Sequence, residues 1–354
     1  MILHIRRNEK FNNAYINFVN NNFNSKAHEF VIIGRDYGFK IPNNKNISDL
    51  KKINLQNLIR LLKKMYKAKK IIIHGLFNSR VLLILFLNPV LLKKVSWVVW
   101  GDDLYCYRNK NKSLKSKLRE YVRKKSITNF GAVCTLVEGD FELARKWYDV
   151  KGQYKPAKYI DVKSRKCLID MIKNEKRKVG DKTIIHLGNS ATETNNHIEM
   201  LKILGKFKNE NIEIRCPLSY GSEEYRDEVI RCGKNIFGDK FKPITHFIKK
   251  DKFYDLLNEV DIGVFNNDRQ QGLGNINPLI SLGKKVYLRS NTTVWDSLEG
   301  KGIKIYKLES VRQLNFKEFI TFPSSDREWN KNLKLKDLEN IKEVRKIWEN
   351  IFNT

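Results

Sequence analysis

Short β-branched runs alternate with longer stretches of helical periodicity along the whole chain. A first series of strands is predicted at Ile2–Ile5, Phe30–Ile33, Lys70–His74, Ser96–Trp100 and Ala132–Leu136, with helices between them at Ile47–Lys67 and Lys115–Lys125. A second series follows at Thr183–Leu187, Ile212–Cys216, Ile244–Phe247, Asp261–Phe265, Lys285–Leu288 and Ile303–Tyr306. Its helices are expected at Asn196–Lys206, Glu223–Gly233, Lys252–Glu259 and Leu279–Leu282. Strand–helix alternation of this kind implies parallel sheets covered on both faces. The charged stretch Lys173–Asp181 (KNEKRKVGD) breaks the series and reads as a linker. The expected domains are therefore residues 1–172 and 182–335, both Rossmann-like. The amphipathic segment 336–354 is expected to pack back on the first. Two Rossmann-like domains facing across a cleft are the α/β plan called GT-B. Epimerases and periplasmic binding proteins share that plan, so the fold alone does not decide the function.

Length and composition sharpen this only in part. With 354 residues and 41% hydrophobic content, the chain can build two cores and is no disordered polymer. The most apolar run, Val81–Leu92, contains Pro89 and is too short to cross a bilayer. The start, Met1–Ile5, reads as a strand and not as a secretion signal. Five cysteines without CxxC spacing read as reduced thiols and not as a zinc site. The net charge of +29 is the first pointer to a partner. Such a chain is drawn to nucleic acid, an acidic membrane surface or phosphorylated ligands. A lysine-rich, A+T-biased coding sequence produces the same excess.

The candidate chemistry sits where strands end. His186-Leu187-Gly188-Asn189-Ser190 closes a strand just before a helix start near Thr194 or Asn195. Gly188 lets backbone approach a ligand, and the free N–H groups of a helix start favour an anion. An ordinary capped turn would look the same. Arg269-Gln270-Gln271-Gly272-Leu273-Gly274 follows another strand of the same half. Arg269 suits a diphosphate, and Gln270 and Gln271 suit sugar hydroxyls, although a solvated loop is the plain alternative. Both loops should open on one edge of one sheet. Neither GxGxxG nor GxxxxGK[ST] occurs, which argues against a dinucleotide enzyme or a P-loop NTPase. In the first half, His74, Asp103 and Asp140 lie at or just beyond strand ends, where any of them is a candidate general base or a loop cap. Asp102 and Asp103 are adjacent and point apart along a strand, so no metal is expected. His4, His28 and His246 read as packing or surface residues. The stretch Tyr105–Lys125 is basic and aromatic, including Tyr107, Arg108, Lys110, Lys112, Arg119 and Arg123. It suits an anionic leaflet, or is a solvated helix face.

Taken in order, HGLFN (His74–Asn78), WGDDLY (Trp100–Tyr105), LGNSATETNNHI (Leu187–Ile198), CPLSY (Cys216–Tyr220) and DRQQGLG (Asp268–Gly274) resemble the enterobacterial lipid II N-acetylfucosaminyltransferases of glycosyltransferase family 56. The resemblance spans about residues 70–285. It implies a GT-B fold, a dTDP-linked 4-acetamido-4,6-dideoxygalactose donor and an undecaprenyl-diphosphate-linked saccharide acceptor. It also implies a peripheral location on the cytoplasmic face of the bacterial inner membrane, where that family serves enterobacterial common antigen synthesis. Within the matched blocks it adds Asn195, His197 and Tyr220 to Gly188, Asn189, Ser190, Arg269, Gln270, Gln271, Gly272 and Gly274 as donor-site residues. Of the acidic pair, Asp103 is the match and Asp102 is extra. After RQQGLG this chain reads Asn275-Ile276-Asn277-Pro278, where the family is more apolar. The Ser190–Asn195 loop also differs in its charged positions. These departures border the donor site and keep open an O-antigen or capsule transferase with a different nucleotide sugar.

The expectation is a metal-independent hexosyltransferase without a cofactor. Its partners would be a nucleotide sugar, a lipid-linked saccharide and an anionic membrane surface, with no nucleic acid. The competing reading is a non-catalytic basic protein that binds membrane or nucleic acid through Tyr105–Lys125. The two glycine-containing loops of the second half discriminate, because an adaptor has no need of them.

Overall fold

The computed structural model describes residues 1–34, 38–39, 41–50, 54–108, 113–174 and 180–353. It separates into two compact units, Met1–Val162 with Ile341–Thr354, and Lys163–Asn340. The expected first domain ended at residue 172; here helix Val162–Lys173 falls almost wholly in the second unit. Lys110, Lys112 and residues 175–179 of the expected linker lie outside the described residues.

In the first unit, seven parallel strands run β1 (Ile2–Arg7), β2 (His28–Ile33), β3 (Ile47–Leu50), β4 (Lys70–His74), β5 (Val95–Val98), β6 (Ala132–Thr135) and β7 (Gln153–Pro156). Their order in the sheet is β3-β2-β1-β4-β5-β6-β7. The central strands are buried on both faces, which is why they read as continuous apolar runs. Helices α1 (Asn12–Asn22), α2 (Leu55–Lys67), α3 (Ser79–Leu87), α4 (Asp102–Tyr105), α5 (Leu114–Thr128) and α6 (Gly139–Tyr148) lie between successive strands, with α4 and α5 both between β5 and β6. Strands β3 and β7 are additions to the expected set. Both lie at sheet edges and are only half-buried, so they lack the apolar run that betrays a central strand. Ile47–Leu50, expected as the start of a helix, pairs instead with β2.

The second unit begins with α7 (Val162–Lys173) and holds six strands, β8 (Thr183–Leu187), β9 (Ile212–Pro217), β10 (Phe241–Ile244), β11 (Ile262–Phe265), β12 (Lys285–Leu288) and β13 (Tyr306–Lys307). The order is β10-β9-β8-β11-β12-β13. Its further helices are α8 (His197–Leu204), α9 (Glu223–Phe237), α10 (Lys250–Asn258), α11 (Leu273–Ser281), α12 (Thr293–Glu299), α13 (Phe316–Ile320) and α14 (Ser324–Glu339). Strand β10 lies before the expected Ile244–Phe247 and contains Pro243, which an edge strand tolerates because one side of it needs no ladder partner. The expected strand Ile303–Tyr306 shrinks to the two residues of β13.

The last helix, α15 (Ile341–Asn353), completes the first unit. Val344, Trp348, Ile351 and Phe352 are buried against the first sheet. The Trp348 indole N–H donates to the Lys158 carbonyl at 2.9 Å. Beneath this helix runs a chain of buried imidazoles. His4 Nε2 lies 3.0 Å from His28 Nδ1, and His4 Nδ1 lies 3.3 Å from His74 Nε2. His74 Nδ1 in turn meets the Tyr159 hydroxyl.

Burial holds all three imidazoles neutral, with His28 pulled down to about 4 and His4 and His74 well below their usual range. A further proton on the chain would also set N–H against N–H. The unfolded chain takes up these protons near pH 6.5 and the folded one refuses them. The stability is therefore full above about pH 6.5 and lost below it, by about 1.4 kcal/mol per pH unit for each histidine. Thermal unfolding followed by circular dichroism should show the midpoint falling steadily from about pH 7 to about pH 5. The fall should be shallower in His28→Leu.

Candidate functional site

In an open parallel sheet, the loops after two adjacent strands whose connections wind in opposite directions leave a crevice at their carboxyl ends. In the second unit β8 and β11 are such a pair: β9 and β10 extend outward on one side, β12 and β13 on the other. The loops that leave them are residues 188–196 and 266–272. These are the two loops singled out by the sequence, and they are bonded to each other.

Asn195 anchors the first loop. Its side chain is fully buried; Oδ1 accepts from the Asn189 N–H at 3.0 Å, and Nδ2 donates to the Ser190 carbonyl at 3.0 Å and to Thr192 Oγ1 at 2.7 Å. Gly188 turns with φ +70°, and an added Cβ would collide with the His197 ring. Asn196, also left-handed, donates from Nδ2 to the Asn266 carbonyl at 2.9 Å. A bridge between Ala191 and Gly221 brings Tyr220 alongside, where its hydroxyl accepts from Asn189 Nδ2 at 3.2 Å. The loops are tied by Thr194 Oγ1 donating to Gln271 Oε1 at 2.7 Å, by the Asp268 N–H donating to the Thr194 carbonyl at 3.0 Å, and by Gln271 Nε2 donating to Asn189 Oδ1 at 3.4 Å. Gly272, with φ +72°, starts α11.

Several buried polar atoms at this edge have no hydrogen-bond partner among the described residues: both ring nitrogens of His197, Asn267 Oδ1 and Gln270 Oε1. Buried polar groups are almost always satisfied, so such a cluster marks a place where a ligand or water belongs. Burial pulls His197 down to about 3 and His186 to about 4, so both rings are neutral. Arg269 is half-buried beside them, with Nη1 3.5 Å from the Gln270 carbonyl.

The structure reassigns two of the expected contacts. Gln271 was expected to bind sugar, yet both ends of its amide are used in tying the loops. Gly274 was expected in the loop, but α11 begins at Leu273, so Gly274 lies in its first turn and Pro278 inside the helix. The sequence reading missed Arg289, which braces the second loop. Its Nη2 donates to Asn266 Oδ1 at 2.6 Å and its Nη1 to Asp268 at 2.5 Å, while Asn266 donates to Glu199 at 2.9 Å. The one available signal was an arginine directly after β12, at the same sheet edge.

The first unit overturns the expected placement of its acids. Asp103 is 2% exposed, in the one-turn helix α4 and not on a strand. Its carboxylate accepts from the Leu76 N–H at 2.8 Å, the Trp97 indole at 2.7 Å and the Trp100 N–H at 2.8 Å. Burial raises its pKa and these donors oppose the rise. A carboxylate so enclosed anchors the loops after β4 and β5 and is not free to meet an acceptor. Asp140 is buried and accepts from the Tyr105 hydroxyl at 2.9 Å. His74 belongs to the buried imidazole chain. Arg123, counted among the basic surface residues, is internal too: it donates to the Leu76 carbonyl at 3.0 Å and to the Asp103 carbonyl.

The family model for 4-alpha-L-fucosyltransferase, glycosyl transferase group 56, matches residues 3–319. The chain belongs to that family. Group 56 enzymes are glycosyltransferases, and this one uses a nucleotide-sugar donor and an acceptor. Its fold is GT-B, shared with solved transferases. Sucrose-phosphate synthase from Thermosynechococcus elongatus superposes with a TM-score of 0.68 at 11% identity, over 100% of this chain and 98% of that one. A UDP-forming trehalose-phosphate synthase from Burkholderia vietnamiensis gives 0.67 at 8%, over 99% and 98%. WaaG, a glycosyltransferase of lipopolysaccharide biosynthesis, gives 0.62 at 9%, over 100% and 99%. At such identities the likeness speaks for the fold alone.

For this group 56 chain, Asp103→Asn separates an anchor from a base. The amide sets an N–H₂ against N–H donors, leaving buried groups unsatisfied at a cost of about 1–3 kcal/mol. The unfolding midpoint should therefore fall in the variant. An unchanged midpoint with lost turnover would restore the catalytic role.

Proposed function

We propose that this group 56 enzyme transfers a deoxyhexose, such as 4-acetamido-4,6-dideoxygalactose, from a dTDP-sugar to an undecaprenyl-diphosphate-linked saccharide at the cytoplasmic face of the inner membrane. The observation that carries the donor half is the pair of loops tied across the β8–β11 switch point, with buried polar atoms left unsatisfied around them. The diphosphate would rest on the backbone of Gly188–Ser190 and at the start of α11, with Gly272 and Gly274 admitting close approach. Arg269 would neutralise the leaving group, so no metal is required there. Asn189, Asn195 and Tyr220 would keep the first loop in shape, and Gln270 and His197 offer the free polar atoms to the ligand.

A panel of dTDP, UDP and GDP followed by thermal shift tests this, with turnover measured next on dTDP-sugars. The largest shift is expected for dTDP, and Arg269→Ala should weaken that binding by about 2–3 kcal/mol, roughly 30- to 150-fold. Equal shifts for the three nucleotides would remove the dTDP assignment.

The acceptor half rests on the surface of the first unit. Among the described residues no helix is long and apolar enough to cross a membrane. Helices α3 and α5 pack together, and each exposes large apolar residues: Leu83 and Leu87 on α3, and Leu114, Leu118 and Tyr121 on α5. Leu114 is 84% exposed. Lys115, Lys117, Arg119, Lys124 and Lys125 lie on the same helix and are all exposed. Exposed leucines flanked by cations suit the boundary between headgroups and acyl chains, which is where a polyprenyl-linked saccharide presents itself. This apolar component favours a membrane over nucleic acid. Co-sedimentation with anionic vesicles should fall with added salt, and fall tenfold or more in the double variant Leu114→Ser, Leu118→Ser. Equal recovery on neutral and anionic vesicles would sink the membrane reading.

A further inference from the structure

The first sheet has a switch point of its own. Strands β1 and β4 are adjacent, with β2 and β3 on one side and β5 to β7 on the other. The loops that flank it are residues 8–11 and 75–78, and between them they carry one acid, Glu9. Its side chain is 15% exposed, and Oε1 has no hydrogen-bond partner among the described residues, although Arg6 Nη2 stands 3.5 Å away.

Arg6 is the cation that faces this carboxylate. The guanidinium is fully enclosed, lying over the rings of Tyr15, Trp100 and Tyr159 at 4.6, 5.7 and 5.6 Å. Its Nε donates to Asn12 Oδ1 at 2.7 Å. Phe11, Phe77 and Trp100 gather at the same edge, with Trp100 edge-on to each of the other two at 6.4 and 6.2 Å. Phe11 is exposed and the other two are half-buried. Such rings offer the apolar faces on which the C–H side of a saccharide packs. A carboxylate, a locked cation and aromatic rings thus meet at one switch point, while the buried Asp103, Asp140 and His74 are all engaged elsewhere.

We propose that Glu9 is the general base of the transfer and that Arg6 positions it. This rests on glycosyl transfer by direct attack of an acceptor hydroxyl. The hydroxyl proton passes to the Glu9 carboxylate as the oxygen lone pair forms the bond to the anomeric carbon. The bond from that carbon to the diphosphate oxygen breaks, and its electron pair leaves with the nucleoside diphosphate. Glu9 is suited to this near neutral pH. Burial raises it to about 7 against the opposing pull of Arg6, Arg7 and Lys10, and Tyr159 is the further titratable group that faces it. A base with its pKa near the working pH is the most effective one. Because the base must be ionised, activity is full above about pH 7 and lost as the pH falls through it.

Glu9→Gln should lower kcat by about 10²–10⁴-fold, while the affinity for nucleoside diphosphate, read by calorimetry, stays unchanged. The wild-type kcat/KM should rise with pH through about 7, and this rising limb should vanish in Glu9→Gln. Glu9→Asp should recover part of the rate. Near wild-type turnover in Glu9→Gln, or a wild-type profile flat between about pH 5 and 9, would overturn the proposal. Failure of dTDP to bind the wild type would instead count against the donor assignment and leave the base assignment standing.

Discussion

A loop that leaves the middle of a parallel sheet soon runs out of neighbouring strand to bond to: after β8 the Gly188 N–H still donates to the Val264 carbonyl of β11 at 2.9 Å, and the ladder ends there. Beyond that point it satisfies its backbone from its own side chains and from the loops beside it. At the β8–β11 edge, Asn195 does the first and the Thr194–Gln271 pair does the second. Everything else at that edge depends on this closure. Gly188 can turn sharply because Asn195 holds the next residues of the loop, and the His197 ring fills the space that a side chain at Gly188 would need. Arg289 then secures the outer end of the second loop. Once the loops have served themselves, a small set of unsatisfied polar atoms is left over.

The second unit was the more legible one because its chemistry lies in backbone-shaping residues. Glycine, asparagine and threonine after an apolar run say directly that a chain turns and needs capping, and the strand order then makes two such loops neighbours. Individual roles were less legible. Gln271 and Gln270 are alike in sequence, yet one ties two loops and the other ends with a free carbonyl oxygen. The difference lies in which of the two amides meets Thr194 and Asn189 of the other loop, and no local pattern reports it.

In the first unit the central strands were plain and the acids misled. His74 ends a strand and Asp103 and Asp140 follow strands closely, as groups at a site do, but the turn after a strand also collects unsatisfied N–H groups. A buried carboxylate is a common way of meeting them. Trp97, Trp100 and Leu76 supply three donors that converge on Asp103 from strand β5 and from the loops after β4 and β5, a convergence invisible in WGDDLY alone. Glu9 escaped notice for the opposite reason. It lies in a short polar segment with two arginines and a lysine, which reads as solvated charge. Only the packing of Arg6 over three rings turns it into part of a fixed arrangement.

The return of α15 to the first unit has a consequence for how the chain is made. Residues of β1, β2 and α1 emerge from the ribosome early, but the face of the sheet that carries His4 and Phe30, with Tyr15 of α1 packed on it, is closed by Trp348 and Phe352. The whole second unit is synthesised in between, a delay on the order of ten seconds. During that time the first unit carries an uncovered aromatic face, while the second can finish folding without interruption. The order of completion is thus the reverse of the order of synthesis, and a chaperone has its natural point of engagement on the half of the enzyme that was made first.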